Sequence, residues 1–117
     1  LRGVDRLPLV DLAREIQRIA DAVRSRTATP NELTGQTFTI SNIGAVGGGY
    51  GTPIIPYGTT AILSFGHADE QPVARAGRIE ATTVLPLSLS YDHRVIDGAL
   101  GRRFLARVVE QLEHPAP

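Results

Sequence analysis

The residues best suited to chemistry lie in one short run, Ser88-Leu89-Ser90-Tyr91-Asp92-His93-Arg94-Val95-Ile96-Asp97-Gly98. A strand is expected to end in this run, a short polar loop to follow it, and a helix to begin at Asp97-Gly98. A base carried on a loop between two rigid elements is well aimed. Histidine titrates near neutrality, so His93 is suited to take up a proton and later return it. Asp97 is placed to cap the helix and to fix the loop through an arginine, with Arg94 as the candidate partner. Ser41 stands 52 positions before His93, at the end of a predicted strand. Taken singly, each has a plainer reading. A lone histidine is more often a surface residue beside a structural salt bridge, and a strand-end serine is more often a turn-former.

Other chemistries are excluded by what the chain lacks. All 12 basic residues are arginine, which removes P-loop lysine and Schiff-base chemistry. There is no cysteine, hence no thiolate nucleophile, disulfide or cysteine-ligated zinc. His67, His93 and His114 are too scattered for a zinc site, so no metal is expected, and His67 and His114 should face solvent. The glycine run from Gly44 to Gly51 does not fit G-x-G-x-x-G and has no Walker lysine after it; it should instead permit tight turns and close backbone approach. The formal net charge is zero, which gives no electrostatic pull toward nucleic acid or a membrane surface. No apolar run approaches the roughly 18 residues of a membrane span. The first residues have neither the basic nor the apolar region of a signal peptide and no methionine, so a fragment or processed product is expected.

Stepping outward to the elements, residues 9–26 form an expected amphipathic helix, with Leu9, Leu12, Ile16, Ile19, Ala20 and Val23 on its apolar stripe. Thr29-Pro30-Asn31-Glu32 has the form of a capping box, and Gly35 limits it to about one turn. Strands are expected over 37–40 and 60–65. A hairpin should turn at Ala76-Gly77, between residues 72–74 and a long strand over roughly 79–91. Pro86 inside that strand warns of an edge or a bulge. Leu100, Phe104, Leu105, Val108 and Leu112 mark the last helix. The order suggests an α/β sandwich with a mixed or antiparallel sheet.

The string Ser88-Leu89-Ser90-Tyr91-Asp92-His93-Arg94-Val95-Ile96-Asp97-Gly98-Ala99 resembles the acyltransferase (E2) components of 2-oxo acid dehydrogenase complexes. Its H-x-x-x-D-G core is shared by the wider chloramphenicol acetyltransferase-like superfamily. Other branches usually carry a second histidine where this chain has Asp92. Phe38-Thr39-Ile40-Ser41-Asn42-Ile43-Gly44 resembles a second E2 segment, and the distance from Ser41 to His93 matches the family's catalytic serine. The resemblance runs over residues 4–113 and covers about half of the family's domain.

It implies that residues 1–117 are the C-terminal half of an E2 catalytic domain, with the N-terminal half, subunit-binding and lipoyl domains lying outside this chain. The implied fold is part of a chloramphenicol acetyltransferase-like α/β sandwich, a mixed sheet packed by helices. The implied reaction moves an acyl group between dihydrolipoamide, its lipoyl group on a separate domain, and coenzyme A. His93 would be the general base, Ser41 the oxyanion stabiliser, and Asp97 the residue that orients the loop. Ser41, Asn42, Gly66 and Ala68 would lie against coenzyme A. A glycine pair after Ser41-Asn42-Ile43-Gly44, followed by a strand with Pro53-Ile54, looks like the branched-chain type.

Implied partners are two further copies in a homo-trimer, built into a larger E2 core, and the E1 and E3 components through other domains. The implied location is the cytoplasm, or the mitochondrial matrix in a eukaryote. Two rivals stand beside this reading. One is a truncated, non-catalytic assembly fragment of E2. The other is a serine hydrolase using Ser41, His93 and Asp97, although the G-x-S-x-G elbow is missing.

Overall fold

A computed structural model of the chain describes residues 1–115 and divides it into two compact units, Leu1–Gln36 and Thr37–Pro117. In the first unit, helix α1 spans Leu9–Arg24, close to the expected bounds. Arg14–Asp11, Arg18–Glu15 and Arg24–Asp21 pair along its wet face. The capping box forms as expected around a single turn, Pro30–Glu32. Glu32 accepts from the Thr29 backbone N–H and hydroxyl, both at 2.9 Å, and from Arg18 at 2.9 Å. The Arg2 guanidinium donates to the carbonyls of Asn31 and Thr34, tying the start of the chain to that turn. Yet no residue of α1 is buried, and Leu9 on its apolar stripe is 81% exposed.

The second unit is built on a three-stranded mixed sheet, β1 (Thr39–Asn42), β2 (Ala61–Phe65) and β5 (Leu87–Tyr91). Its order is β1-β2-β5, with β1 parallel and β5 antiparallel to β2. Strand β2 is central, and Ala61, Ile62, Leu63 and Ser64 on it are the buried residues of the sheet. A separate hairpin joins β3 (Asp69–Arg75) to β4 (Arg78–Val84). Helix α2, Gly98–Glu113, lies against β5, where Gly101 meets the Tyr91 ring, and Phe104 stacks at a tilt on Phe38 with centroids 5.6 Å apart.

Two expected boundaries move. Strand β1 begins at Thr39 rather than residue 37 and runs on to Asn42, so that Ser41 lies within its pairing register. The single strand expected over 79–91 is two strands in different sheets. Proline has no N–H for a ladder, and the break falls at Leu85-Pro86, where the Pro86 carbonyl instead accepts from Gly66 N–H at 2.9 Å. Pro86 thus stands between two strands, rather than at the edge or bulge expected of it.

Cover is scarce. The chain exposes 9226 Å², against about 6,200 Å² for a folded monomer of this mass. Leu100, Phe104 and Leu112 on α2 are all exposed, although their spacing is that of a buried stripe. The amphipathic patterns are written for more partners than this chain supplies.

Candidate active site

Two clusters within the second unit hold the residues singled out above. The first lies at the C-terminal end of the parallel pair. Ser41 is opposite Ser64, Asn42 is opposite Phe65, and Ile43 N–H donates to the Phe65 carbonyl at 3.0 Å. Ser41 and Asn42 therefore stand beside the chain that leaves β2 through Gly66 and Ala68. The structure brings these four residues to one sheet end.

Glycine makes that crowding possible. A Cβ on Gly44 would strike the Gly66 carbonyl, and one on Gly66 would strike the carbonyl of Gly49. The three backbones are then laced together: His67 N–H donates to Gly48 O at 2.7 Å, and Gly51 N–H donates to the Ser88 hydroxyl at 3.2 Å. The Asn42 side-chain oxygen accepts from Gly44 N–H at 3.1 Å and shapes the turn out of β1. Among the described residues the Ser41 hydroxyl has no hydrogen-bond partner, which leaves it free to donate. Ser41, Ser64 and Ser88 share one register across all three strands.

The second cluster lies at the other end of the sheet. Tyr91, the last residue of β5, pairs with Ala61, the first residue of β2. Asp92 N–H donates to the Thr60 carbonyl at 2.8 Å, and the Asp92 carbonyl accepts from Val95 and Ile96, forming a tight turn. His93 projects from that turn, exposed, with its ring 5.9 Å from that of Tyr91. A shallow depression of about 660 Å³ is lined by His93, Arg94, Asp92 and Tyr91 together with residues 55–59.

The two flanking carboxylates are both committed elsewhere. Asp97 caps α2, accepting from Leu100 N–H at 2.7 Å. Among the described residues it pairs with no arginine. Arg94 turns instead to Asp92, donating from Nη2 at 2.6 Å and from Nε at 2.9 and 3.1 Å. The guanidinium and the Arg94 backbone N–H together hold the Asp92 carboxyl down at about 2, well below the usual carboxylate range. The expected Asp97–Arg94 pair is replaced by a shorter-range one, because Arg94 can reach Asp92 within the same turn.

Ser41 and His93 do not meet within one chain. Three residues along β2 and two strand spacings separate the level of Ser41 from that of Tyr91. That amounts to about 14 Å. Residues 55–59, including the fully exposed Tyr57, were not anticipated as part of the site. Their only sequence signal is the Pro-Tyr-Gly turn at 56–58. Among the described residues no group of three or more His, Cys, Asp or Glu could hold a metal ion, and no helix is long and apolar enough to cross a membrane.

Compared with known proteins, residues 1–117 match the family described as 2-oxoacid dehydrogenases acyltransferase (catalytic domain). A dihydrolipoyllysine-residue acetyltransferase component of the pyruvate dehydrogenase complex of Acholeplasma laidlawii is 44% identical over 98% of the chain, which spans 21% of that protein. The structure of dihydrolipoamide acetyltransferase from Azotobacter vinelandii superposes with a TM-score of 0.93 at 41% identity, covering 97% of this chain and 47% of that one. That enzyme's catalytic mechanism was investigated at a serine, a histidine 52 residues later, and an asparagine four residues beyond the histidine. The cubic core of a pyruvate dehydrogenase multienzyme complex superposes with a TM-score of 0.91 at 41% identity, covering 96% of this chain and 46% of that one. The chain thus spans about half the length of the solved cores and about a fifth of the bacterial relative.

Proposed function

This chain belongs to the family of 2-oxoacid dehydrogenase acyltransferase catalytic domains, and from that premise we propose that it supplies the base and the oxyanion donor for acyl transfer between dihydrolipoamide and coenzyme A. Its fold is the mixed-sheet, chloramphenicol acetyltransferase-like sandwich of those catalytic cores. One observation carries the reading. Ser41, His93 and Asp97 have the same spacing, 52 and then four residues, as the serine, histidine and asparagine investigated in the Azotobacter enzyme.

A free thiol is a poor nucleophile until it loses its proton. In the proposed reaction the neutral imidazole of His93 takes that proton as the sulfur attacks the thioester carbonyl. The carbonyl oxygen becomes an oxyanion, and the Ser41 hydroxyl donates a hydrogen bond to it. One such donor is typically worth about 2.7–4 kcal/mol of transition-state stabilisation. Collapse of the tetrahedral intermediate breaks the bond to the original sulfur, and His93 returns the proton to that leaving thiolate. Ser41, Asn42, Gly66 and Ala68 would face coenzyme A. The crowded backbone at that sheet end supports the assignment, because glycine has no side chain to hold a ligand away from the main chain.

The separation of Ser41 from His93 supports a site completed by a second copy of the chain, with the serine of one facing the histidine of the other. The excess exposed surface and the match to about half of a solved core support residues 1–117 being part of a larger domain, completed by the rest of its own chain and by neighbouring copies. A homo-trimer within a cubic core, served by E1 and E3 components, is the proposed assembly. Acetyl is the proposed acyl group, since the acyltransferase relatives belong to pyruvate dehydrogenase complexes; the glycine pair after Gly44 is the feature on the branched-chain side, but the strand expected with it at Pro53-Ile54 does not form. A serine hydrolase is disfavoured, because among the described residues no carboxylate orients His93 and no serine is bonded to it.

The deciding assay uses the full-length chain with acetyl-CoA and dihydrolipoamide. Wild type should form acetyl-dihydrolipoamide and free coenzyme A. His93→Ala should lose roughly 10²–10⁴-fold in kcat, and Ser41→Ala roughly 10²–10³-fold, each with an unchanged melting temperature. Acetate as the product, without transfer to the acceptor thiol, would overturn the proposal. An inactive wild type that still assembles would favour the non-catalytic reading.

A further inference from the structure

The two charged neighbours of His93 are joined to each other and not to it. Arg94 occupies both oxygens of Asp92, with Nη2 on Oδ2 at 2.6 Å and Nε on Oδ1 at 2.9 Å, while its backbone N–H adds a third donor to Oδ1 at 3.0 Å. The Tyr91 ring lies 5.9 Å from the imidazole, and Tyr57 lines the same depression. Asp97 is turned to the Leu100 N–H.

From this geometry we infer that Asp92 and Arg94 form a positioning clamp, which anchors the turn carrying His93 while keeping the loop beside the imidazole electrically neutral. The kinetic consequence rests on the acyl-transfer reading; the clamp itself does not. A bare carboxylate within about 4–6 Å favours the protonated form of a histidine. A base already protonated at working pH cannot accept a thiol proton. The turn nevertheless uses the Asp92 side chain, whose Oδ1 accepts the Arg94 N–H. Arg94 resolves the conflict by covering the charge and filling the lone pairs an imidazole N–H would otherwise seek. Exposed ion pairs of this kind add little to stability, so the pair is judged by its effect on His93.

The test compares Arg94→Gln, Asp92→Asn, the double variant and Arg94→Lys in the full-length, assembled protein. The readouts are the pH dependence of deuterium exchange at the His93 ring carbon, followed by mass spectrometry, and the pH dependence of kcat/KM. Arg94→Gln should move the His93 titration midpoint up by about half a pH unit, and Asp92→Asn should move it down by a similar amount. The double variant should return it close to wild type. Arg94→Lys keeps the charge without the two-pronged contact, so its midpoint should stay near wild type while kcat falls.

Midpoints unmoved in both single variants would overturn the clamp, as would a double variant displaced as far as Arg94→Gln alone. If Arg94→Gln does not assemble, Asp92→Asn and the double variant make the same comparison. Ring exchange needs no turnover. A wild type that transfers no acyl group would therefore defeat the proposed reaction and leave the clamp tested separately.

Discussion

Gly101 of α2 lies directly against the ring of Tyr91: a Cβ there would come within 2.6 Å of Cε1 and 2.8 Å of Cζ. The missing side chain lets the helix close on the strand that leads into Asp92 and His93. Alanine would favour the helix by up to about 1 kcal/mol, but overpacking of this kind typically costs about 1–3 kcal/mol. Gly101→Ala should therefore lower the melting temperature and reduce kcat, because the ring that must shift belongs to Tyr91, which leads directly into the turn carrying His93. A variant with both values unchanged would show that the contact does not position the site.

Asp97 acts in this structure as a helix cap, so its oxygen matters more than its charge. Asparagine offers the same acceptor. Asp97→Asn should keep stability within a few tenths of a kcal/mol, whereas Asp97→Ala should cost about 0.5–2 kcal/mol. The asparagine four residues after the histidine in the Azotobacter enzyme fits this expectation. Denaturant titrations of the two variants check it, and equal losses in both would point to the charge instead.

The hairpin of β3 and β4 turns through Ala76 and Gly77 with φ of 49° and 78°. This two-residue turn is the kind in which asparagine-glycine is favoured, and alanine is penalised in the left-handed region. Ala76→Asn should stabilise the hairpin by about 0.5–1 kcal/mol. Slower amide exchange in β3 and β4 would be the sign, and faster exchange would refute it.

Glu32 contributes a pH dependence to the turn of the first unit. Its carboxyl is lowered from 4.5 to about 2, first by the Thr29 backbone N–H, then by the Thr29 hydroxyl and by Arg18. A carboxyl depressed on folding contributes fully above its unfolded value and loses that contribution as pH falls through the folded one. Relative to Glu32→Gln, wild type should protect the amides of residues 29–33 more strongly above pH 4.5. That difference should shrink toward zero as the pH approaches about 2. A constant difference across this range would remove Glu32 as the titrating group.

How much of this was legible in the sequence depends on how local the determining physics is. The helix over 9–24, the capping box at Thr29 and the Asp97 cap depend on neighbours three or four residues away, and they were readable. Pro86 signalled a departure from a regular ladder, but the partner of each half is set by distant backbone, so the division into two sheets was not readable. The same holds at the site. Ser41 and His93 were found by type and spacing, whereas residues 55–59 reach the depression by a long connection with no periodic pattern. The choice of Arg94 for Asp92 over Asp97 depended on turn geometry, which residue order alone does not determine.

The placement of Ser41 and His93 at opposite ends of one sheet has an arithmetical consequence for a ring of three or more copies that joins them. Each chain would offer its serine to one neighbour and its histidine to the other, a head-to-tail relation. A closed ring would contain as many complete centres as chains, whereas an open pair would leave one serine and one histidine idle. Mixing Ser41→Ala chains with His93→Ala chains would then create some intact centres from two inactive parents, at a frequency set by chance incorporation.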